Sequence, residues 1–230
     1  MRKLLLTTAA VAAAIGLAGC GSGTFTDSRD GQKYRTVIMP DGKRWMAQNL
    51  NYKTDSSWCY ENSVDSCTKY GRLYTWNAAM KACPTGYHLP SHEDWNYLTE
   101  IVGGKRHFYE DGVSDHFYWI DACEKLKAKH GWDRNEEVGG GIGAISNSTF
   151  YVNGNGSDDY GFSALPGGSG FLDIGFHDVG IYGIWWTAME DENNYSFAYC
   201  RSMSYRYQIL SELRQNKVMC YSVRCVADRP

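Results

Sequence analysis

The chain has no long basic run, and no internal repeat or linker within residues 34–230, and proline is scarce, at 5 in 230 residues. Without a basic run, and with a formal charge of −3, the composition argues against nucleic acid as a partner. Without a repeat or an interior linker, one domain is the simplest count for residues 34–230. No apolar stretch is long enough for a permanent span: the uncharged run at residues 4–18 has 15 residues, against roughly 20 for a membrane-crossing helix.

That short run is informative for what surrounds it. Arg2 and Lys3 precede it and Leu17-Ala18-Gly19-Cys20 closes it. A basic start, an apolar core and small residues at the cut make a secretory signal over residues 1–19. The closing tetrapeptide resembles the lipobox of bacterial lipoproteins, in which Cys20 is the acylated first residue of the mature chain. Gly21 follows it, in place of the aspartate that marks retention at the inner membrane. The resemblance therefore implies a palmitate-type lipid anchor at the cell outer membrane, with a membrane as the first partner. Removal of residues 1–19 leaves 211 residues and takes the charge to −5, since Arg2 and Lys3 leave with them. That length suffices for a buried core. Residues 20–33 have the small, polar composition of a lipidated cysteine followed by a flexible tether, with a stretched reach of roughly 45 Å.

The eight cysteines are Cys20, Cys59, Cys67, Cys83, Cys123, Cys200, Cys220 and Cys225. Export places them where disulfides persist. With Cys20 acylated, at most three pairs and one spare remain, and counting does not give connectivity. Cys59 and Cys67 flank a polar, turn-rich segment, so a local Cys59–Cys67 bridge is the first pair expected.

Two strand-like runs, residues 34–39 and 44–47, surround an Asp41-Gly42 turn and predict a hairpin. Leu73, Trp76, Ala79, Met80 and Cys83 recur at helical spacing, which predicts a helix over residues 71–83, stopped by Pro84 and Gly86. Ser91, with Asp94 three residues on, predicts a capped second helix with Trp95, Leu98, Ile101 and Val102 on its apolar face. A third, shorter helix is expected at residues 121–129. Strand candidates follow at residues 170–176, 184–188, 196–203 and 217–226. Helices early and antiparallel strands late read as α+β.

The segments Trp45-Met46-Ala47-Gln48-Asn49-Leu50-Asn51-Tyr52, Trp58-Cys59-Tyr60, Tyr70-Gly71-Arg72-Leu73-Tyr74-Thr75-Trp76, Cys83-Pro84-Thr85-Gly86-Tyr87-His88-Leu89-Pro90, Asp159-Tyr160-Gly161-Phe162-Ser163-Ala164-Leu165-Pro166-Gly167-Gly168, Trp185-Trp186-Thr187 and Ser222-Val223-Arg224-Cys225-Val226 resemble, in this order, the Fibrobacter succinogenes major paralogous domain family. The resemblance covers nearly all of residues 34–230 and implies little about activity. A more distant likeness runs through residues 75–93, which resemble the first-helix region of C-type lectin-like domains. It implies two to three helices packed on short antiparallel strands with long loops. It also implies the bridges Cys83–Cys225 and Cys200–Cys220, leaving Cys123 unpaired.

Each set of chemically capable residues has a plainer reading beside it. His88 and His92, next to Glu93 and Asp94, have a spacing seen in metal sites, but Pro90 breaks the shared helical face that zinc would need. Asp158 and Asp159, in a Gly- and Asn-rich loop, are weak calcium candidates; the plainer reading is a turn whose side chains bond their own backbone. The calcium motifs of sugar-binding lectins have no counterpart, so no cofactor is expected. Gly139-Gly140-Gly141-Ile142-Gly143 lacks the flanks of a phosphate loop. The tail Cys220–Cys225 resembles that of formylglycine-generating enzymes, but Gln215 stands in place of their second thiol. Glu190, Asp191 and Glu192 read as a solvated acidic loop.

Aromatic residues make up 14% of the chain, with 17 Tyr and 8 Trp. Phe117, Tyr118 and Trp119 cluster in one loop. Trp185 and Trp186 are adjacent, so in a strand only one of the two points inward. Tyr195, Tyr199, Tyr205 and Tyr207 lie on or near the late strands and are the candidate ligand-binding surface, since flat rings stack on sugar faces. The function expected is a non-catalytic binding or adhesion module, with polysaccharide as the partner. The rivals are an envelope hydrolase or oxidase using Asp158, Asp159 or Cys123, and a structural component with a protein partner.

Overall fold

The structure is a computed structural model that describes residues 21–108, 117–135, 152–171 and 175–228. The signal segment, Cys20 and the loop at residues 139–143 lie outside the described residues. In chain order the elements are β1 (Ser22–Thr26), β2 (Lys33–Ile38), β3 (Arg44–Met46), β4 (Ser57–Trp58), α1 (Val64–Tyr70), β5 (Leu73–Tyr74), α2 (Trp76–Ala82), β6 (Tyr87–His88), α3 (His92–Ile101), β7 (Lys105–Phe108), β8 (Phe117–Ile120) and α4 (Cys123–Leu126). The paired β9 (Arg134–Asn135) and β10 (Val152–Asn153) follow, then β11 (Ser169–Phe171), β12 (Gly175–His177), β13 (Tyr182–Glu190), β14 (Phe197–Ser204), β15 (Leu210–Asn216), β16 (Met219–Ser222) and β17 (Val226–Ala227). This is an α+β fold, mostly strand with few helices. None of the helices described is long and apolar enough to cross a membrane.

One five-stranded sheet has the order β1-β2-β3-β17-β6, and a ten-stranded sheet runs β12-β11-β16-β13-β14-β15-β8-β7, with β5 on β16 and β4 on β5. The first hairpin forms as the Asp-Gly turn predicts. Gly42 takes φ +80°, a conformation open to glycine, and Asp41 Oδ1 accepts from the Lys43 amide at 2.9 Å. Alternation then sends Val37 and Trp45 into one core cluster and Tyr34 and Met46 into another. The capping box is present: the Asp94 amide donates to Ser91 Oγ at 3.1 Å and the Ser91 amide to Asp94 Oδ2 at 2.9 Å. Ile101 departs from the expected face and is exposed, while Trp95, Leu98 and Val102 are buried.

Several expectations are corrected. Residues 22–26 are a strand, paired with β2 from Ser22↔Val37 to Thr26↔Lys33, where composition predicts a tether. Phe25 holds it by packing on Tyr87, with ring centroids 4.7 Å apart. The helix expected from residue 71 begins at Trp76, because Leu73 and Tyr74 pair with Ser222 and Tyr221 as a strand. Met80 lies on that helix's exposed side. The segment between Cys59 and Cys67 holds the start of α1, capped by Ser63, whose side chain accepts from the Ser66 amide. Both Trp185 and Trp186 are fully buried: β13 is covered on both faces, so one ring enters each core cluster.

Disulfides join Cys59 to Cys67 and Cys83 to Cys225. The second closes a loop of 142 residues, for which the chain-entropy account gives roughly 4–5 kcal/mol. The Cys200–Cys220 bridge is not formed; both thiols, like that of Cys123, are free and buried. The cause is strand order. Cys200 lies on β14 and Cys220 on β16, with β13 between them. Two strand spacings are roughly 9–10 Å, beyond the reach of about 7 Å between bridged Cα atoms. Burial pushes the Cys123 thiol up to about 11, that of Cys220 to about 12 and that of Cys200 upward too.

Thiol titration checks this arrangement. The native protein should react negligibly with a thiol reagent near neutral pH, and denaturation without reductant should release three thiols, plus a fourth from any Cys20 left unacylated. Only one released thiol would mean that Cys200 and Cys220 are bridged.

Candidate functional site

Two sets of polar side chains stand out, one buried and one open. The buried set centres on Asn49. Its Oδ1 accepts from Trp185 Nε1 at 2.9 Å and from Arg224 Nη2 and Nε at 2.8 and 3.2 Å. Its Nδ2 donates to the Tyr70 carbonyl at 2.8 Å and to Ser222 Oγ at 3.3 Å. Arg224 also donates to the carbonyls of Phe162 and Ser163 and lies 4.5 Å from the Phe162 ring centroid. Burial pulls this guanidinium down to about 9, against the pull of the Asp158 charge, so it remains a cation near neutral pH. Gly71 permits the approach: at φ +76° a Cβ there would lie 2.8 Å from both the Asn49 Cβ and the Leu50 carbonyl.

The open set lies where the β2–β3 turn meets the first turns of α3. Together they frame a cavity of about 710 Å³ lined by Ile38, Asp41, Lys43, Arg44, Glu93, Tyr97 and Asp228, among others. Tyr97 is three residues beyond Asp94, a neighbouring position on the helix surface, and lies off the stripe of buried Trp95, Leu98 and Val102. The residue is 48% exposed and its ring centroid lies 5.7 Å from Lys43 Nζ. Lys43 Nζ donates to Asp94 Oδ1 at 2.6 Å. His88 spans the next gap, with Nε2 3.2 Å from Asp94 Oδ2 and Nδ1 2.7 Å from Asp228 Oδ1. Burial opposes the charge on Asp94, but Lys43 and the amide and hydroxyl of Ser91 outweigh it and hold the carboxyl down to about 2. Asp41 Oδ2, on the cavity wall, is buried with no hydrogen-bond partner among the described residues. A flat ring bordered by fixed acceptors and cations can take the apolar face of a sugar and bond its hydroxyls.

The residues expected from sequence fall elsewhere. Tyr195 is exposed in the β13–β14 turn, Tyr199 is half-buried within β14, Tyr205 packs on a core cluster and Tyr207 is exposed beyond the end of β14. The eight residues of β14, roughly 26 Å of extended chain, separate Tyr195 from Tyr205 and Tyr207, so the four do not make one platform. Phe117 and Trp119 are buried core, and Tyr118 stacks on His107. His88 and His92 face different partners: His92 Nδ1 is 2.8 Å from Glu212 Oε2, beside the fully buried Arg201, whose Nη1 is 2.6 Å from the same oxygen. Both Asp158 oxygens accept from Ser163, one from the amide and one from the hydroxyl, each at 2.7 Å, which is the turn reading. Glu190 pairs with Lys217 and Asp191 with Arg214. Among the described residues no group of three His, Cys, Asp or Glu side chains could hold a metal. Tyr97, Lys43, Arg44 and Asp228 are not among the sequence-based candidates. The available signal is Tyr97's place off the apolar stripe of a capped helix.

The molecule thus belongs to the class of disulfide-stabilised α+β domains organised around a buried amide and guanidinium. The model of the Fibrobacter succinogenes major domain matches residues 34–227, and the chain belongs to that family. No curated protein and no solved structure matches the chain. Asn49, Tyr70, Phe162, Trp185, Ser222 and Arg224 lie in five of the motifs that carry the family resemblance, and the structure brings them into contact.

Two measurements check these networks. Asn49→Ala strips Arg224 and Trp185 of an acceptor and should cost about 3–5 kcal/mol, the scale for breaking a buried charge's partnership; a denaturant midpoint shift worth under about 1 kcal/mol would contradict it. Because the Asp94 value is depressed in the fold, its contribution is complete above about pH 4 and lost as pH falls through about 2. The stability gap between wild type and Asp94→Asn should therefore be widest near neutrality and shrink progressively below about pH 4, with a constant gap contradicting the assignment.

Proposed function

We propose that this protein is a lipoprotein, anchored through Cys20 in the outer membrane, whose domain binds saccharide without catalysis at the Tyr97 cavity. The observation that carries the reading is a half-exposed aromatic ring on the rim of a cavity whose walls hold Asp41, Glu93 and Asp228 beside Lys43 and Arg44. Sugar recognition needs that combination: stacking for the C–H face and charged partners for the hydroxyls. Asp94, held at about 2, stays an acceptor near neutral pH and is unsuited to act as a general acid, which needs a value near the working pH.

The C-type lectin-like architecture remains part of the proposal. In its support, Cys83, just after α2, is bridged to Cys225, just before the final strand β17. The pairing matches the first bridge that the likeness implies.

The test is affinity for a panel of neutral and acidic oligosaccharides, measured on the full-length protein in detergent. Tyr97→Ala should weaken retention about tenfold or more, equivalent to roughly 1.4 kcal/mol, and Tyr195→Ala should leave it unchanged. Equal loss in both variants, or no retention of any saccharide, overturns the proposal.

A further inference from the structure

We infer that the saccharide taken by the Tyr97 cavity is the headgroup of a glycolipid in the same membrane that holds the Cys20 anchor. This rests on the sugar reading of the cavity and on acylation of Cys20. What carries it further is the position of Gly21 and Ser22, the first described residues.

Composition predicts a tether of roughly 45 Å between lipid and domain, but the structure leaves almost none. Ser22–Thr26 is zipped to β2 in register, and the Ile38 amide donates to the Gly21 carbonyl at 3.0 Å. Its far end is locked as well. Asp27 is fully buried, its amide donates to the Gln32 carbonyl, and its carboxylate holds Arg29, which donates to the Ala82 carbonyl at 2.8 Å. Peeling β1 away would break this ladder and expose Phe25. The sheet therefore begins two residues after the proposed anchor.

Ile38 is also a wall of the cavity. Its Cδ1 lies 3.3 Å from the point where a Cβ on Gly21 would stand. Gly21, the residue that follows the proposed lipid-bearing Cys20 in the chain, therefore packs against a wall of the cavity. Acyl chains carried one residue before Gly21 keep that wall close to the headgroup layer. A stiff polysaccharide would have to thread between domain and bilayer to reach Tyr97. A headgroup sugar arrives by lateral diffusion, confined with the cavity to one plane, where effective concentration substitutes for intrinsic affinity.

The test uses the full-length acylated protein, its Cys20 lipid verified by mass, in phospholipid vesicles with or without a diacylglycerol carrying one neutral hexose. Amide hydrogen exchange is read at residues 38–44 and 93–97. Glycolipid should slow exchange in both segments about tenfold relative to plain vesicles, an equilibrium shift worth about 1.4 kcal/mol, and Tyr97→Ala should abolish the slowing while leaving the exchange of β13 and β14 unchanged. A second arm offers the same hexose as a soluble oligosaccharide to the protein in detergent. Binding there without any glycolipid effect in vesicles overturns this inference and leaves the sugar reading standing. Failure in both arms overturns the sugar reading as well. Slowing by plain vesicles that glycolipid does not deepen shows bilayer contact without a headgroup ligand and also overturns it.

Discussion

A charged guanidinium without a carboxylate in ion-pair contact is an expensive thing to bury, and Arg224, which has none among the described residues, is fully buried. What makes it tolerable is the amide of Asn49, which accepts two of its N–H groups, together with the carbonyls of Phe162 and Ser163. The same amide oxygen takes the Trp185 indole, while the amide nitrogen reaches Tyr70 and Ser222. These partners lie 21 to 175 residues away along the chain. A hydrophobic core can shift by a rotamer and remain a core. This network is satisfied in one arrangement, so it fixes which segments meet.

The consequence reaches the open site through β17. Arg224 precedes Cys225, which is bridged to Cys83, and Val226 pairs with both Trp45 and His88. Locating Arg224 therefore locates β3, β6 and the disulfide together. From β6, His88 reaches Asp94 and Asp228; from the β2–β3 turn, Lys43 reaches Asp94. The cavity walls are thus set by the framework beneath them, which is what a weak ligand requires, since flexibility in the walls would cost affinity.

Local chemistry makes part of this legible. The Asp41-Gly42 turn, the Ser91–Asp94 box and the Cys59–Cys67 pair are each decided within a few residues. Elsewhere distant partners decide. Ser22, Gly23, Thr24 and Thr26 have the composition of a tether, and only the pairing with β2 and the packing of Phe25 on Tyr87 make them a strand. Leu73 has helical spacing from Trp76, yet Gly71 and the β16 ladder claim it for a strand. The lectin likeness pairs Cys200 with Cys220, and the strand order that separates them is not written in any local pattern. Tyr97 escapes a reading by composition, because counting aromatics says nothing of which face each ring occupies.

The unpaired thiols show how this framework also governs covalent chemistry. Outside Cys20 and the local Cys59–Cys67 loop, five cysteines can compete for partners on oxidation: Cys83, Cys123, Cys200, Cys220 and Cys225. The native pair among them must form across 142 residues. Loop-closure entropy alone favours nearer partners, and Cys220 is far closer in sequence to Cys225 and Cys200 than Cys83 is. The native sheet reverses that order. It sets β13 between Cys200 and Cys220, and it buries those two thiols and Cys123 so that little reactive thiolate exists near neutral pH. Cys83 and Cys225 are brought within a Cα separation of 5.9 Å. The bridge is then a product of the fold that the Asn49 network selects, and once formed it holds that network closed.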